Sequence, residues 1–284
     1  IDASAERARG LDVARHILAK VQERASAPAP MLPPPTVDTL ATGAPRLADL
    51  DMAQSVERGV YKSELAELRA RLGPLQRAAR AEGVSAVLVF EGADAAGKGG
   101  AIRRITGALD ARHYQVIPIA APTDEEHAHH YLWRFWRHIP RQGRVSIFDR
   151  SWYGRVLVER VEGFCSVADW QRAYDEINQF ERAMTKEAVV ICKFWLHISD
   201  DEQLRRFDER EQVPYKAWKL TDEDWRNRER WSDYELAVDD MVRQTNTDCA
   251  PWTLVEGNQK YFARLKVLRT VCESLERALG RDNA

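Results

Sequence analysis

Five stretches of the chain are almost continuously apolar: AVLVFE ending at Glu91, YQVIPIA ending at Ala120, VSIFD ending at Asp149, VVICKFWLHI ending at Ile198 and WTLVE ending at Glu256. Between them the apolar residues recur at helical spacing. Short strands without polar alternation belong to a sheet covered on both faces, and strands alternating with helices make that sheet parallel. The pattern therefore predicts a three-layer α/β domain. Thr123 with Glu126, Ser166 with Asp169, Ser199 with Glu202, and Thr221 with Asp224 each set a hydroxyl three residues before an acid, the signature of a helix start. Helices are also expected over about 55–82, ahead of the first run, and over about 5–24.

Six of the twelve prolines lie between Pro28 and Pro45. A helix cannot persist there, so residues 26–50 read as a linker and 51–284 as the main domain. The helix ahead of it, within 1–25, is too short to fold alone. Its run LDVARHIL from Leu11 matches LKVLRTVC from Leu265, aligning Leu11, Val13, Arg15 and Ile17 with Leu265, Val267, Arg269 and Val271. This is expected of a tandem protein in which the last helix of an earlier repeat precedes one complete copy. A chance likeness of two amphipathic helices is the alternative.

Composition narrows the classes. The 42 basic and 44 acidic residues leave a net charge of −2, which argues against nucleic acid as a partner and makes any anion site local. Cys165, Cys192, Cys249 and Cys272 have neither zinc-site spacing nor disulfide density. No apolar run reaches the ~18 residues of a membrane span, and no secretion signal opens the chain. A cytoplasmic protein without membrane association is expected.

The first apolar run leads into Gly92-Ala93-Asp94-Ala95-Ala96-Gly97-Lys98-Gly99-Gly100, followed by a helical pattern. Glycines let backbone N–H groups turn toward an anion, the helix N-terminus adds a positive dipole, and Lys98 adds a full charge. Phosphate binding follows. Ordinary nucleoside triphosphatases use a Ser or Thr hydroxyl after the lysine to bind magnesium, but here the residue is Gly99. Another ligand is required. Asp94 reads as a metal-linked or catalytic carboxylate, or else as a turn cap.

The third run ends in Asp149-Arg150-Ser151-Trp152-Tyr153-Gly154-Arg155. An acid at the carboxyl end of a parallel strand sits at the ligand-binding rim, where it can hold magnesium while Arg150 meets the same phosphate. Arg134, Arg137, Arg141, Arg144, Arg150, Arg155 and Arg160 share their stretch with only two acids, Asp149 and Glu159, and could line a groove for a polyanion. Arg103 and Arg104, on the helix after the loop, could extend this track. His127, His129 and His130 lack ligand spacing and suit a solvated or base-contacting role. Arg206, Arg210, Lys216 and Lys219 suit a helical lid, about 200–225, able to close over phosphates and exclude water. A solvated charged helix is the alternative reading of each.

In this order the segments FEGADAAGKGGAI from Phe90, PTDEEHAHHYLWRFW from Pro122, FDRSWYGRVLVERVEGF from Phe148 and PYKAWKLTDEDW from Pro214 resemble the polyphosphate kinase 2 family over about 60–279. The resemblance implies a thymidylate-kinase-like P-loop fold with a parallel sheet and helical lid, Mg2+ as cofactor, and a homo-oligomer or packing against a second repeat. It implies metal-site or catalytic roles for Asp94 and Asp149 and phosphate-handling roles for Lys98, Arg150 and Arg155. Transfer of phosphate from inorganic polyphosphate to AMP, reversibly, is the expected activity. ADP or GDP as acceptor is an alternative, and a non-catalytic nucleotide-binding or assembly module is another. The 122–136 segment is expected beside the phosphate loop, where it would set how deep the nucleoside sits.

Overall fold

The computed structural model describes residues 6–27, 43–213 and 222–281. The chain divides into two units, the first ending at Val37 and the second beginning at Asp38. Within the first, helix α1 (Glu6–Ser26) has the apolar side chains Leu11, Val13, Ile17, Leu18 and Val21 exposed.

In the second unit all five apolar runs are strands: β1 (Ser85–Gly92), β2 (Tyr114–Pro118), β3 (Val145–Asp149), β4 (Val189–His197) and β5 (Trp252–Glu256). They form one parallel sheet in the order β2-β3-β1-β4-β5. Side chains alternate between its faces. Ala86, Leu88 and Phe90 enter a core shared with α2 (Arg58–Ala81), α3 (Lys98–Thr106) and α8 (Lys260–Ala278). Val87 and Val89 enter a second core, with α4 (Val167–Thr185) and α7 (Trp231–Thr245). Helices α5 (Asp200–Glu211) and α6 (Asp222–Glu229) lie in the connection from β4 to α7.

Coverage of both faces fails at one edge. In β2 only Ile117 is buried and Val116 is 40% exposed, because an edge strand lacks a neighbour and a helix on its outer side. The strand order also separates β2 from β1 by β3, so residues 122–136 do not follow the phosphate loop's immediate neighbour.

Thr123 and Ser166 form complete capping boxes with Glu126 and Asp169. Ser199 caps α5 alone, since the Glu202 carboxylate turns instead to Arg205 and Arg206. Thr221 lies outside the described residues. Leu47, inside the stretch read as linker, is buried in the second core, and its N–H donates to Asp239. Because β1 is flanked by β3 and β4, the segments leaving these three strands converge at the carboxyl edge of the sheet.

Candidate functional site

The phosphate loop joins β1 to α3 through a backbone that few residue types tolerate. Gly92 has φ 150° and Gly97 has φ 110°, and a Cβ on Gly92 would collide with the Leu196 carbonyl oxygen. Ala95, without the freedom of glycine, is held at φ 63°. Such left-handed non-glycine conformations cost on the order of 1–3 kcal/mol and persist where surrounding contacts impose them. Lys98 curls back over the loop and donates from Nζ to the carbonyls of Gly92 (2.6 Å) and Ala93 (3.4 Å).

Two α5 side chains supply the constraint. Arg206 is buried, and its guanidinium donates to Ala95 O (2.8 Å), Ala96 O (3.1 Å), Gly257 O (2.7 Å), Asn258 O (2.9 Å) and Glu202 Oε1 (2.6 Å). Gln203 Nε2 donates to Asp94 O at 3.1 Å. Helix α5 thereby clamps the phosphate loop to the loop after β5.

Asp94 turns its carboxylate across the site. Oδ1 accepts from Arg150 Nη2 at 3.2 Å, and Oδ2 accepts from Asn227 Nδ2 on α6 at 2.8 Å. Arg150 follows β3 with φ 65°, its N–H donating to Phe90 O at 3.0 Å. The next residue, Ser151, donates through Oγ to Glu91 Oε1 at 2.8 Å. Burial raises the Glu91 carboxyl above its usual range, opposed by the Ser151 hydrogen bond and the charges of Lys98 and Arg150. Burial likewise lowers the Lys98 ammonium below the ordinary lysine value, with Asp94 pulling the other way.

These donors suit a hard cation. Asp94 and Asp149 both lie near enough to Lys98 to favour its charge, and two carboxylates form the kind of sparse set that magnesium completes with waters and substrate phosphates. Among the described residues no three His, Cys, Asp or Glu side chains converge as a ready-made metal cage. His129 instead stacks on Trp133 with centroids 4.1 Å apart, and His130 lies 3.4 Å from Glu176.

Much of the expected basic track has other partners. Arg160 binds Asp240 (2.8 Å) and Tyr174 OH (2.9 Å) and covers Trp170, because it faces the seam between α4 and α7. Arg134 donates to Ala120 O (2.9 Å) and lies 3.4 Å from Glu126. Arg155 pairs with Glu159 at 2.9 Å and lies over the Tyr131 ring. Arg104 reaches Tyr61 OH and Gly100 O, both at 3.3 Å, while Arg103 is exposed. Arg206, read as a residue that swings over phosphates, is fixed beneath the loop by its five hydrogen bonds, and Arg210 covers the Phe207 ring. Lys216 and Lys219 lie outside the described residues.

Beside the phosphate loop a cavity of about 780 Å³, counting its open mouth, is lined by both polar and apolar side chains. Asp94 and Arg150 line it, together with Leu157, Trp195, Trp231 and Val238. Trp195 is buried, and its Nε1 has no hydrogen-bond partner among the described residues. Residues 122–136 do not line this cavity. Sequence reasoning missed Glu91, Gln203, Asn227, Trp195 and Trp231. Only Glu91 carried a visible signal, an acid closing a buried strand.

The sequence profile of Polyphosphate kinase 2 matches residues 55–283. A Polyphosphate:AMP phosphotransferase of Pseudomonas aeruginosa is 58% identical over 236 residues, 83% of this chain and 48% of that protein. The chain thus spans about half the length of that relative. An ADP-polyphosphate phosphotransferase 3 of Rhizobium meliloti is 41% identical over 228 residues, 80% of each chain. The crystal structure of Polyphosphate Kinase 2 from Arthrobacter aurescens TC1 superposes with a TM-score of 0.80 at 36% identity, covering 84% of this chain and 87% of that one.

Proposed function

The chain belongs to the polyphosphate kinase 2 family, and on that premise we propose that it moves the terminal phosphoryl group of inorganic polyphosphate to AMP, forming ADP. The observation that carries this reading is the mixed lining of one cavity, which brings phosphate-loop residues and Arg150 together with the apolar and aromatic side chains of Leu157, Trp195, Trp231 and Val238. A nucleotide presents the same two chemistries. The relative named for AMP, at 58% identity, favours the monophosphate acceptor.

In the proposed reaction an AMP phosphate oxygen attacks the terminal phosphorus in line, a new P–O bond forms, and the anhydride bond to the shortened polyphosphate breaks. The acceptor phosphate is already anionic near neutral pH, so positioning and charge neutralisation do most of the work. Lys98 and the loop N–H groups bind donor oxygens, and Arg150 reaches the transferred group. Asp94 and Asp149 would hold magnesium, which when bound neutralises charge shared between donor and acceptor phosphates. The same groups serve the reverse reaction. Arg155, Arg103, Arg210, Lys216 and Lys219 remain candidates for contacts with the longer polymer.

Filling the cavity at Leu157 tests the assignment. Leu157→Trp should raise KM for AMP at least about tenfold, a modest ~1.4 kcal/mol, while KM for polyphosphate changes little. Equal effects on both substrates would remove the nucleoside from this cavity. Diphosphate acceptors form the second reading, favoured by the relative named for ADP, which this chain covers over 80% of its length.

We also infer that α1 is the last helix of a preceding copy of this fold. The buried α8 residues Leu265, Val267, Leu268, Val271, Cys272 and Leu275 align with the apolar residues Leu11, Val13, Ala14, Ile17, Leu18 and Val21. Removing residues 1–27 should then leave turnover per folded molecule unchanged, and a large loss would tie α1 to the catalytic unit.

A further inference from the structure

Two residues after the strained Arg150, the chain enters a hydrogen-bond network with no solvent exposure. Trp152, Tyr153 and Lys193 are each 0% exposed, as is Glu181. Trp152 Nε1 donates to Glu181 Oε1 at 3.1 Å, and Tyr153 OH donates to the same oxygen at 2.7 Å. Lys193 Nζ uses its three hydrogens on Glu181 Oε2 (2.8 Å), Tyr153 OH (2.9 Å) and the Thr245 carbonyl (2.7 Å). Every polar group named has its partner. The network ties the segment after β3 to α4, β4 and the end of α7.

A buried ion pair is a poor choice for stability alone, since apolar residues of similar volume commonly serve as well. What a fully satisfied network supplies is one arrangement of the groups it holds. Here those groups are the side chains that follow Arg150 and Ser151. The segment is thus held at two points: Ser151 Oγ on Glu91 at the β1 end, and Trp152 with Tyr153 on Glu181 and Lys193 inside the core. Immediately ahead of both, Arg150 keeps φ 65° and its contact with Asp94.

The geometry points to Glu181 and Lys193 as positioning residues for phosphoryl transfer: through Trp152 and Tyr153 they hold Arg150 in the strained conformation that faces the phosphate loop. The catalytic part of this inference rests on the proposed reaction. Its structural part does not.

The test uses Tyr153→Phe, which keeps the ring and unties one link, and the charge-neutral pair Glu181→Gln with Lys193→Met, which avoids a lone buried charge. Backbone hydrogen exchange of the 149–155 segment should quicken at least about tenfold in each variant, with β1 and β4 unchanged. In steady state, kcat should fall at least about tenfold with KM for AMP and polyphosphate within about threefold, and combining the three substitutions should add little. Unchanged local exchange, or an unchanged kcat per folded molecule alongside a lower melting temperature, would overturn the proposal. If the unaltered protein does not phosphorylate AMP from polyphosphate, the functional reading fails, and the exchange measurement still decides whether the network holds the segment.

Discussion

Asn227 donates its side-chain amide to the Asp94 carboxylate across 2.8 Å, a contact between residues 133 positions apart. It joins α6 to the phosphate loop and leaves Asp94 balanced between a neutral donor and the Arg150 guanidinium. Asn227 in turn accepts from Tyr234 OH at 3.1 Å, so its amide orientation is fixed from the α7 side.

Asn227→Ala should therefore lower kcat/KM about tenfold, the scale of one hydrogen bond to a charged group, with little change in melting temperature. Steady-state kinetics at fixed magnesium checks it. Unaltered kinetics would mean that Asp94 needs no support from α6.

Lys98 predicts the alkaline limit of activity. Its ammonium titrates below 10.5 because burial disfavours the charge. As kcat/KM reports the free enzyme, the alkaline limb should fall with a midpoint below 10.5. Lys98→Arg, charged at every accessible pH, should lose that limb, and Lys98→Ala should lower kcat/KM about 1,000-fold. For folding the sign is opposite. The unfolded chain binds this proton more tightly, so Lys98 favours the folded state increasingly as pH rises from its lowered value toward 10.5.

Arg206 is predicted to act through loop shape. Arg206→Lys cannot reproduce a five-bond fork and leaves buried loop carbonyls unpaired, at a cost of about 2–4 kcal/mol. Thermal melting should fall by roughly 5–10 °C, and polyphosphate transfer should fall with it at 25 °C. A variant that melts lower yet transfers phosphate normally would show that the clamp serves stability alone.

The sheet and the phosphate loop were legible because their signals are local. An apolar run specifies a buried strand, and glycine spacing with a lysine at a helix start specifies an anion loop. Partners distant in sequence were not legible. Arg206 resembled Arg210 on paper, yet one lies under the loop with Ala95 O and the other covers Phe207. Arg160 had the charge to follow a polyanion, but Asp240, 80 residues away, takes it. Lys193 did leave a trace, as the single charge inside VVICKFWLHI. Its meaning depended on Glu181 and Tyr153, which no pattern of polarity connects to it.

The acceptor is the central claim, and one measurement addresses it: kcat/KM for AMP and for ADP on the purified chain, at fixed polyphosphate and magnesium. A monophosphate acceptor must bring its α-phosphate to the point where a diphosphate brings its β-phosphate, so the nucleoside lies one phosphate unit closer to the reaction centre. The account predicts that AMP exceeds ADP by at least about tenfold, some 1.4 kcal/mol of transition-state discrimination. An efficiency with ADP equal to or above that with AMP would contradict it.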